Sequence, residues 1–197
     1  MATTYAAGTT FSFTILNLYI RNPPTTKTTG AIIIYTAYLG SIIDYDSSVT
    51  FTATYANITS MTVSASNYQT NQDYITYYIT VSPPGYLLTT AILNLTLPSE
   101  ITVTNSRTLR SECCKDRLSG FNTYGLDCSV IDNNHILIRN GFERGVSADP
   151  PTLVFSISAL KNPRSTAPTS NFTMDIYDES STYKLFNVST AVNISMT

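Results

Sequence analysis

The chain has 197 residues, of which only 12% are charged, with a net charge of -2 and a pI near 5.2. Ordinary soluble domains are about 25% charged, so solubility here rests on hydroxyl and amide side chains, and roughly a quarter of the residues are Ser or Thr. This balance excludes a basic footprint and with it nucleic acid as a partner, and the longest apolar run, Ala31 to Tyr35, is far shorter than the ~20 residues of a membrane-spanning helix.

Thr, Val, Ile and Tyr dominate and helix-favouring Ala, Glu and Lys runs are missing, which predicts sheet. The N-terminal eight residues lack the basic and apolar regions of a signal peptide, so either a signal has been removed or the chain is a piece of something larger. Phe11, Phe13 and Ile15 alternate on one face and Leu18 and Ile20 continue on the opposite phase, as a bulge near Ile15 allows. Further strands are expected over Ala31 to Ala37, Val49 to Tyr55, Ile58 to Ala65, Tyr74 to Val81, Leu87 to Leu97, Ile101 to Thr104, His135 to Arg139, Leu153 to Leu160 and Phe172 to Tyr177, with a pair from Tyr183 to Met196. Only Ser106 to Leu118 has the composition of a helical turn. Short strands bounded by Gly, Pro, Asn and Asp clusters predict an all-β, Ig-like antiparallel β-sandwich. Pro23-Pro24, Pro83-Pro84 and Pro150-Pro151 fall at strand ends, where a missing N–H does least harm.

Motifs that carry chemistry are scarce. There is no G-x-S-x-G elbow, H-E-x-x-H pair, P-loop or dinucleotide fingerprint. The single histidine, His135, reads as an ordinary strand residue. Asp44 and Asp46, and Asp175, Asp178 and Glu179, read as turn formers rather than Ca²⁺ ligands. Tyr74, Tyr77 and Tyr78 read as core and sheet-face residues, with stacking on sugars as the alternative. The expectation is a protein that is not an enzyme, with no catalytic residue, metal or cofactor.

Cys113, Cys114 and Cys128 do not have zinc-site spacing. In a secreted chain one of the vicinal pair bridges to Cys128 and staples the polar loop from Lys115 to Asp127; Cys114 is preferred and Cys113 is the alternative. Asn-x-Ser/Thr sequons stand at Asn57, Asn94, Asn171, Asn187 and Asn193, the last four on the strand phase that faces solvent. Thr25, Thr26, Thr28 and Thr29, and Ser165, Thr166 and Thr169, flank prolines and are candidates for O-linked sugar.

One phrase occurs twice. Ile20-Arg21-Asn22-Pro23 is answered by Leu160-Lys161-Asn162-Pro163; each copy continues through a Thr/Ser/Pro stretch into an apolar strand ending Ile34-Tyr35 or Ile176-Tyr177. Both copies close alike, Asn57-Ile58-Thr59 against Asn193-Ile194-Ser195. A period of about 140 residues suits a whole domain. The expected organisation is a partial unit over residues 1–66, carrying the last strands of a sandwich, and a complete unit over 67–197. A partial sandwich leaves unpaired backbone and an uncovered apolar face, so a neighbour completes it.

The complete unit carries Leu97-Pro98-Ser99-Glu100-Ile101, the cysteine loop, Asn134 to Ile138, Phe142, Leu153 to Pro163, Ser165-Thr166, Pro168-Thr169 and Phe172 to Asp178. That succession resembles the tandem extracellular β-sandwich modules of large surface glycoproteins of ciliated protists. The resemblance covers roughly residues 90–197, and residues 11–66 repeat its latter part. The doubled cysteine and the lack of cysteine-rich furin-like repeats depart from such proteins and put membrane anchoring in doubt. The resemblance implies an extracellular location and a structural or adhesive role.

Together these readings predict a secreted or cell-surface glycoprotein with covalently attached glycans. It is expected to be the homo-oligomeric subunit of a helical or linear fibril, assembled head to tail by strand complementation through Phe11, Phe13, Leu18 and Ile20. The alternative is an adhesin that binds glycans through exposed aromatics near Phe121 and Tyr124 or at Tyr86.

Overall fold

The computed structural model describes residues 8–10, 12, 14, 25–58, 60–85, 87–113, 119–121, 126–142, 152–188 and 191–197. Twelve strands and one short helix are present among them: β1 (Ile32–Tyr38), β2 (Ser41–Val49), β3 (Ala56–Ile58), β4 (Met61–Ala65), β5 (Ile75–Val81), β6 (Ile92–Thr96), β7 (Thr102–Val103), α1 (Ser106–Glu112), β8 (Asp127–Val130), β9 (His135–Arg139), β10 (Leu153–Lys161), β11 (Thr173–Tyr177) and β12 (Lys184–Val188). The chain is therefore mostly β.

The strands form three sheets. One is the hairpin β1-β2, one has the order β4-β5-β10-β7, and one has the order β3-β12-β11-β6-β9-β8. Described pairings are antiparallel except that of β3 with β12, which is parallel with Phe186 opposite Ala56 and Val188 opposite Ile58. The two larger sheets share one core. Ile75, Tyr77, Ile79 and Val81 of β5 point inward while Thr76, Tyr78 and Thr80 are half-buried, and β11 buries Met174 and Ile176 between Thr173, Asp175 and Tyr177. This is the period-2 alternation of a sheet with one dry face. Each fully buried Leu, Ile or Phe contributes about 1.5–3 kcal/mol. Phe121 packs against Phe142 and Phe155 at centroid distances of 5.1 and 5.6 Å, which fixes one end of that core.

Helix α1 begins at Asn105, whose side chain accepts from the N–H groups of Arg107 and Thr108, two donors with no intrahelical partner. Cys113 closes the helix, its N–H donating to the Leu109 carbonyl, and bonds to Cys128 at the second position of β8. The sequence favoured Cys114 for this bridge. Cys113 takes it because the helix cap turns that residue into the buried core, where Cys128 is also buried; Cys114 lies outside the described residues.

Residues 56–65 stand before the boundary that the repeat suggests at 66, yet they are built into the sheets of the following body. β4 pairs with β5 from Met61↔Val81 to Ala65↔Tyr77, and Ile58 and Met61 join the core. Hydrogen bonding, rather than the recurring phrase, sets where the two-sheet body starts.

Candidate functional site: an uncovered apolar hairpin

The feature that sets this molecule apart is the β1-β2 hairpin, here called the arm. Leu39 and Gly40, both at positive φ (49° and 83°), make a two-residue turn between the partners Tyr38 and Ser41. Positive φ at both central positions gives the turn the twist that antiparallel strands need. Ladder pairs run from there to Ile32↔Val49. At the base Thr29 donates its N–H to the Phe51 carbonyl at 2.9 Å and its Oγ1 accepts the Phe51 N–H at 3.1 Å.

The arm repeats the β11-β12 hairpin in its hydrogen bonding. Thr169 donates its N–H to the Ile194 carbonyl at 3.0 Å and accepts the Ile194 N–H at 3.2 Å, and Phe172 pairs with Val192 as Ile32 pairs with Val49. Thr29, Ile32, Val49 and Phe51 thus stand where Thr169, Phe172, Val192 and Ile194 stand. The sequence matched the Asn193 segment with Asn57, but the bonded counterpart of Val192 to Met196 is Val49 to Ala53, and Asn57 belongs to β3. The phrases look alike because both alternate polar with apolar residues. Pairing tells them apart.

The copies differ in what covers them. Phe172 and Met174 are 0% and 1% exposed, whereas Ile32 and Ile34, which stand in their places, are each 41% exposed, and every residue of β1 and β2 faces solvent. Edge pairing differs likewise. β11 lies between β6 and β12, and β12 between β11 and β3, while β1 and β2 pair only with each other among the described residues. The arm meets the two-sheet body near its base, where Lys27 lies 5.9 Å from the Tyr183 ring and Lys184 lies 5.3 Å from the Tyr55 ring. The expected assembly residues Phe11, Phe13, Leu18 and Ile20 lie outside the described residues.

The outer face of the six-stranded sheet carries three of the sequons. Asn94, Asp175, Asn187 and Asn57 are register partners in one row across β6, β11, β12 and β3. Asn57 is exposed; Asn94 and Asn187 are half-buried, and their Oδ1 atoms have no hydrogen-bond partner among the described residues. Asn171 and Asn193 are exposed. Asp175 is held by Lys184 Nζ at 2.9 Å and by the Tyr177 hydroxyl at 3.2 Å. Burial opposes the Lys184 charge, but the Asp175 carboxylate and the nearby phenols outweigh it and raise the ammonium pKa. Of the O-linked candidates, Thr25, Thr26, Thr28, Thr29, Ser165 and Thr166 lie in the outer loops, whereas Thr169 is buried and its hydroxyl is spent on Ile194, so it has no room for a sugar.

The remaining candidates have local structural partners. His135 Nδ1 sits 2.7 Å from Asp132 Oδ2 in an exposed turn, with Asp132 also accepting the N–H groups of Asn134 and His135. Asp44 accepts from the Thr36 hydroxyl across the β1-β2 ladder and Asp46 from Ser48 within β2, so both stand in a strand rather than in the turns expected of them, while Asp178 accepts from Ser180 and Tyr183 in the turn after β11. No group of three or more His, Cys, Asp or Glu among the described residues is arranged to hold a metal. Tyr77 is core, and Tyr74 is exposed. Phe121, offered by the adhesin alternative as an exposed aromatic, is buried by its ring contacts; Tyr86 and Tyr124 lie outside the described residues. No helix among the described residues is long and apolar enough to cross a membrane.

Sequence reasoning missed β2 as the second strand of the arm, placing a strand at Val49 to Tyr55 instead. The available signal was Leu39-Gly40 between two Ile/Tyr runs. The chain matches no family model, no curated protein and no solved structure.

Proposed function

We propose that this chain is a structural segment of an extracellular glycosylated filament, in which Ig-like β-sandwich units follow one another head to tail and complete one another's sheets by strand addition. The observation that carries the reading is the arm: a copy of a hairpin that is covered in the two-sheet body, standing exposed and with both edges unpaired among the described residues. Exposed, long, apolar edges are a liability that proteins ordinarily blunt or cover, so an arm of this kind is best explained as one half of a joint. Backbone bonds supply affinity in such a joint and alternate side chains set register.

Three features support the extracellular part. The Cys113–Cys128 disulfide fits an oxidising compartment, the charge content is low for a soluble domain, and the sequon asparagines Asn57, Asn171 and Asn193 are exposed while Asn94 and Asn187 face outward from the sheet. The resemblance of residues 90–197 to modules of ciliate surface glycoproteins points the same way. The role is mechanical and adhesive rather than catalytic.

The test is secretion from eukaryotic cells followed by peptide mapping and negative-stain imaging. Sugar at several of Asn57, Asn94, Asn171, Asn187 and Asn193, with particles strung end to end in material taken from the native surface, is the expected result. A secreted chain that carries no sugar and occurs at that surface only as separate globules overturns the proposal.

A further inference from the structure

The arm and the β11-β12 hairpin can be compared strand by strand, and the comparison states what the arm lacks. In the body, the free side of β11 is taken by β6, the free side of β12 by β3, and the inner face by the sheet containing β4 and β5. All of these strands come from residues 56–142, the opening half of the unit; β10, β11 and β12 come from the closing half. The arm is a closing hairpin. The sequence before it belongs to the same half, since Phe13 to Pro23 runs in step with Leu153 to Pro163 through Ile15/Phe155, Ile20/Leu160, Arg21/Lys161 and the shared Asn-Pro.

The sequence holds the closing-half phrase twice, while among the described residues opening-half strands occur once, and that one opening half already holds β10, β11 and β12. A second copy of the chain would bring the same surplus, so pairing identical copies leaves as many arms open as before. We infer that the partner of the arm is the opening half of another unit of this kind, with strands of the β3 to β9 type and no closing hairpin of its own. Its β6-type strand would pair with β1, its β3-type strand with β2, and its second sheet would cover one face of the arm. This deepens the proposed strand addition, and it stands on pairing alone, independent of glycosylation or location.

The arm offers apolar surface to such a partner. Ten large apolar side chains of the arm, from Ile32 to Val49, are 38% to 88% exposed; over both faces together they amount to on the order of 1,000 Å², so a sheet covering one face buries roughly half of that, and the rest of the ~800 Å² per partner of a stable interface comes from strand pairing along the two edges. The occupant is also specified in chemistry: beside β1 an antiparallel strand with its apolar residues on alternate positions, as β6 places Leu93 and Leu95 inward and Asn94 outward, and beside β2 a parallel one, as β3 lies beside β12.

Hydrogen exchange on two forms of the protein tests this. In the chain as it stands, amides of residues 32–49 exchange fast and independently of protein concentration, while those of 75–81 and 153–161 are protected. Protection of 32–49 that rises with concentration would make a second copy the occupant and overturn the inference. In the second form, a copy of residues 56–152 is fused ahead of Phe13, supplying the missing half in register. The expected result is slowing of exchange at 32–49 by about a hundredfold or more in a monomer, reversed by Ile34→Asp with 153–161 still protected. Equal exchange at 32–49 in both forms, with 75–81 protected, also overturns the inference. A strand-adding filament built from other edges would survive that second outcome, so the two proposals fail separately.

Discussion

Asn162 anchors the loop after β4 with one side chain. Its Oδ1 accepts the Tyr77 hydroxyl at 2.6 Å, its Nδ2 donates to the carbonyls of Asn67 and Gln69 at 2.9 and 2.8 Å, and its own N–H donates to the Gln72 carbonyl at 2.9 Å. Burial first, and then the neighbouring Tyr68, push the Tyr77 phenol well above its usual pKa, so it remains a donor. Replacing Asn162 by Ala leaves three polar groups without partners at a buried position, and a urea titration should show a loss of about 2–4 kcal/mol. Asn162→Asp keeps the acceptor for Tyr77 but sets a carboxylate oxygen against both carbonyls at a buried position, and should cost at least as much. At Glu100, the Ser170 hydroxyl, opposed by partial desolvation and aided by the Ser170 N–H, holds the carboxyl below its ordinary value. A lowered pKa in the folded state means the stabilising contribution is complete above the unfolded value of ~4.3 and is lost as pH falls through the lower folded value. Ser170→Ala should flatten the acid side of the stability profile between pH 5 and 3, read by urea midpoints. The sequence marked Asn162 as part of a recurring phrase, yet its work was not legible there, because the carbonyls it holds lie in another loop that only the fold brings near.

At the scale of elements, alternation predicted well where one face is dry. β5, β9 and β11 were expected nearly to the residue: β5 and β11 read apolar on one phase and hydroxyl-bearing or acidic on the other, and β9 is framed by His135 and Arg139. Prediction lapsed where no such asymmetry exists. β2 is exposed along its whole length, so its Ile42-Ile43-Asp44-Tyr45 pattern gave no single phase, and Leu at the first turn position hid the hairpin signal that Asn or Asp would have given. The two threonine clamps test the equivalence of the hairpins. Thr169→Val should cost about 1–2 kcal/mol because it removes the acceptor of a buried N–H, whereas Thr29→Val, at an open site where water substitutes, should stay within about 0.5 kcal/mol. The Cys113–Cys128 bridge closes a loop with sequence separation 15, and Cys113→Ala together with Cys128→Ala should lower stability by about 3 kcal/mol in the chain-entropy model. Reductant added to the native protein should reproduce that shift and leave the double variant unmoved.

For the whole molecule, the repeat pointed to more than one unit, and composition pointed to a mostly β chain. Neither placed the division. The phrase shared by Asn57 and Asn193 set it at 66, while ladders assign residues 56–65 to the following body, because similar alternation arises in any strand of the same exposure and only a partner identifies which strand it is. Because the described residues of the arm meet the body near its base, the two should respond separately to substitution. Ile33→Asp with Ile43→Asp should leave the urea midpoint of the body within about 0.5 kcal/mol while sharply lowering binding of an apolar dye, which reads exposed greasy surface. A fall in body stability of several kcal/mol would show that the arm is part of the core after all.

The parallel rungs Ala56↔Phe186, Asn57↔Asn187 and Ile58↔Val188 place the strand that leads out of the arm alongside the strand that leads to the C-terminal tail. Tension pulling on residue 55 from one side and on residue 191 from the other would run lengthwise along both strands. The rungs would then bear load together in shear instead of peeling apart one after another. A body wired this way resists stretching at this edge of its sheet, and the seam yields only when all three rungs give at once.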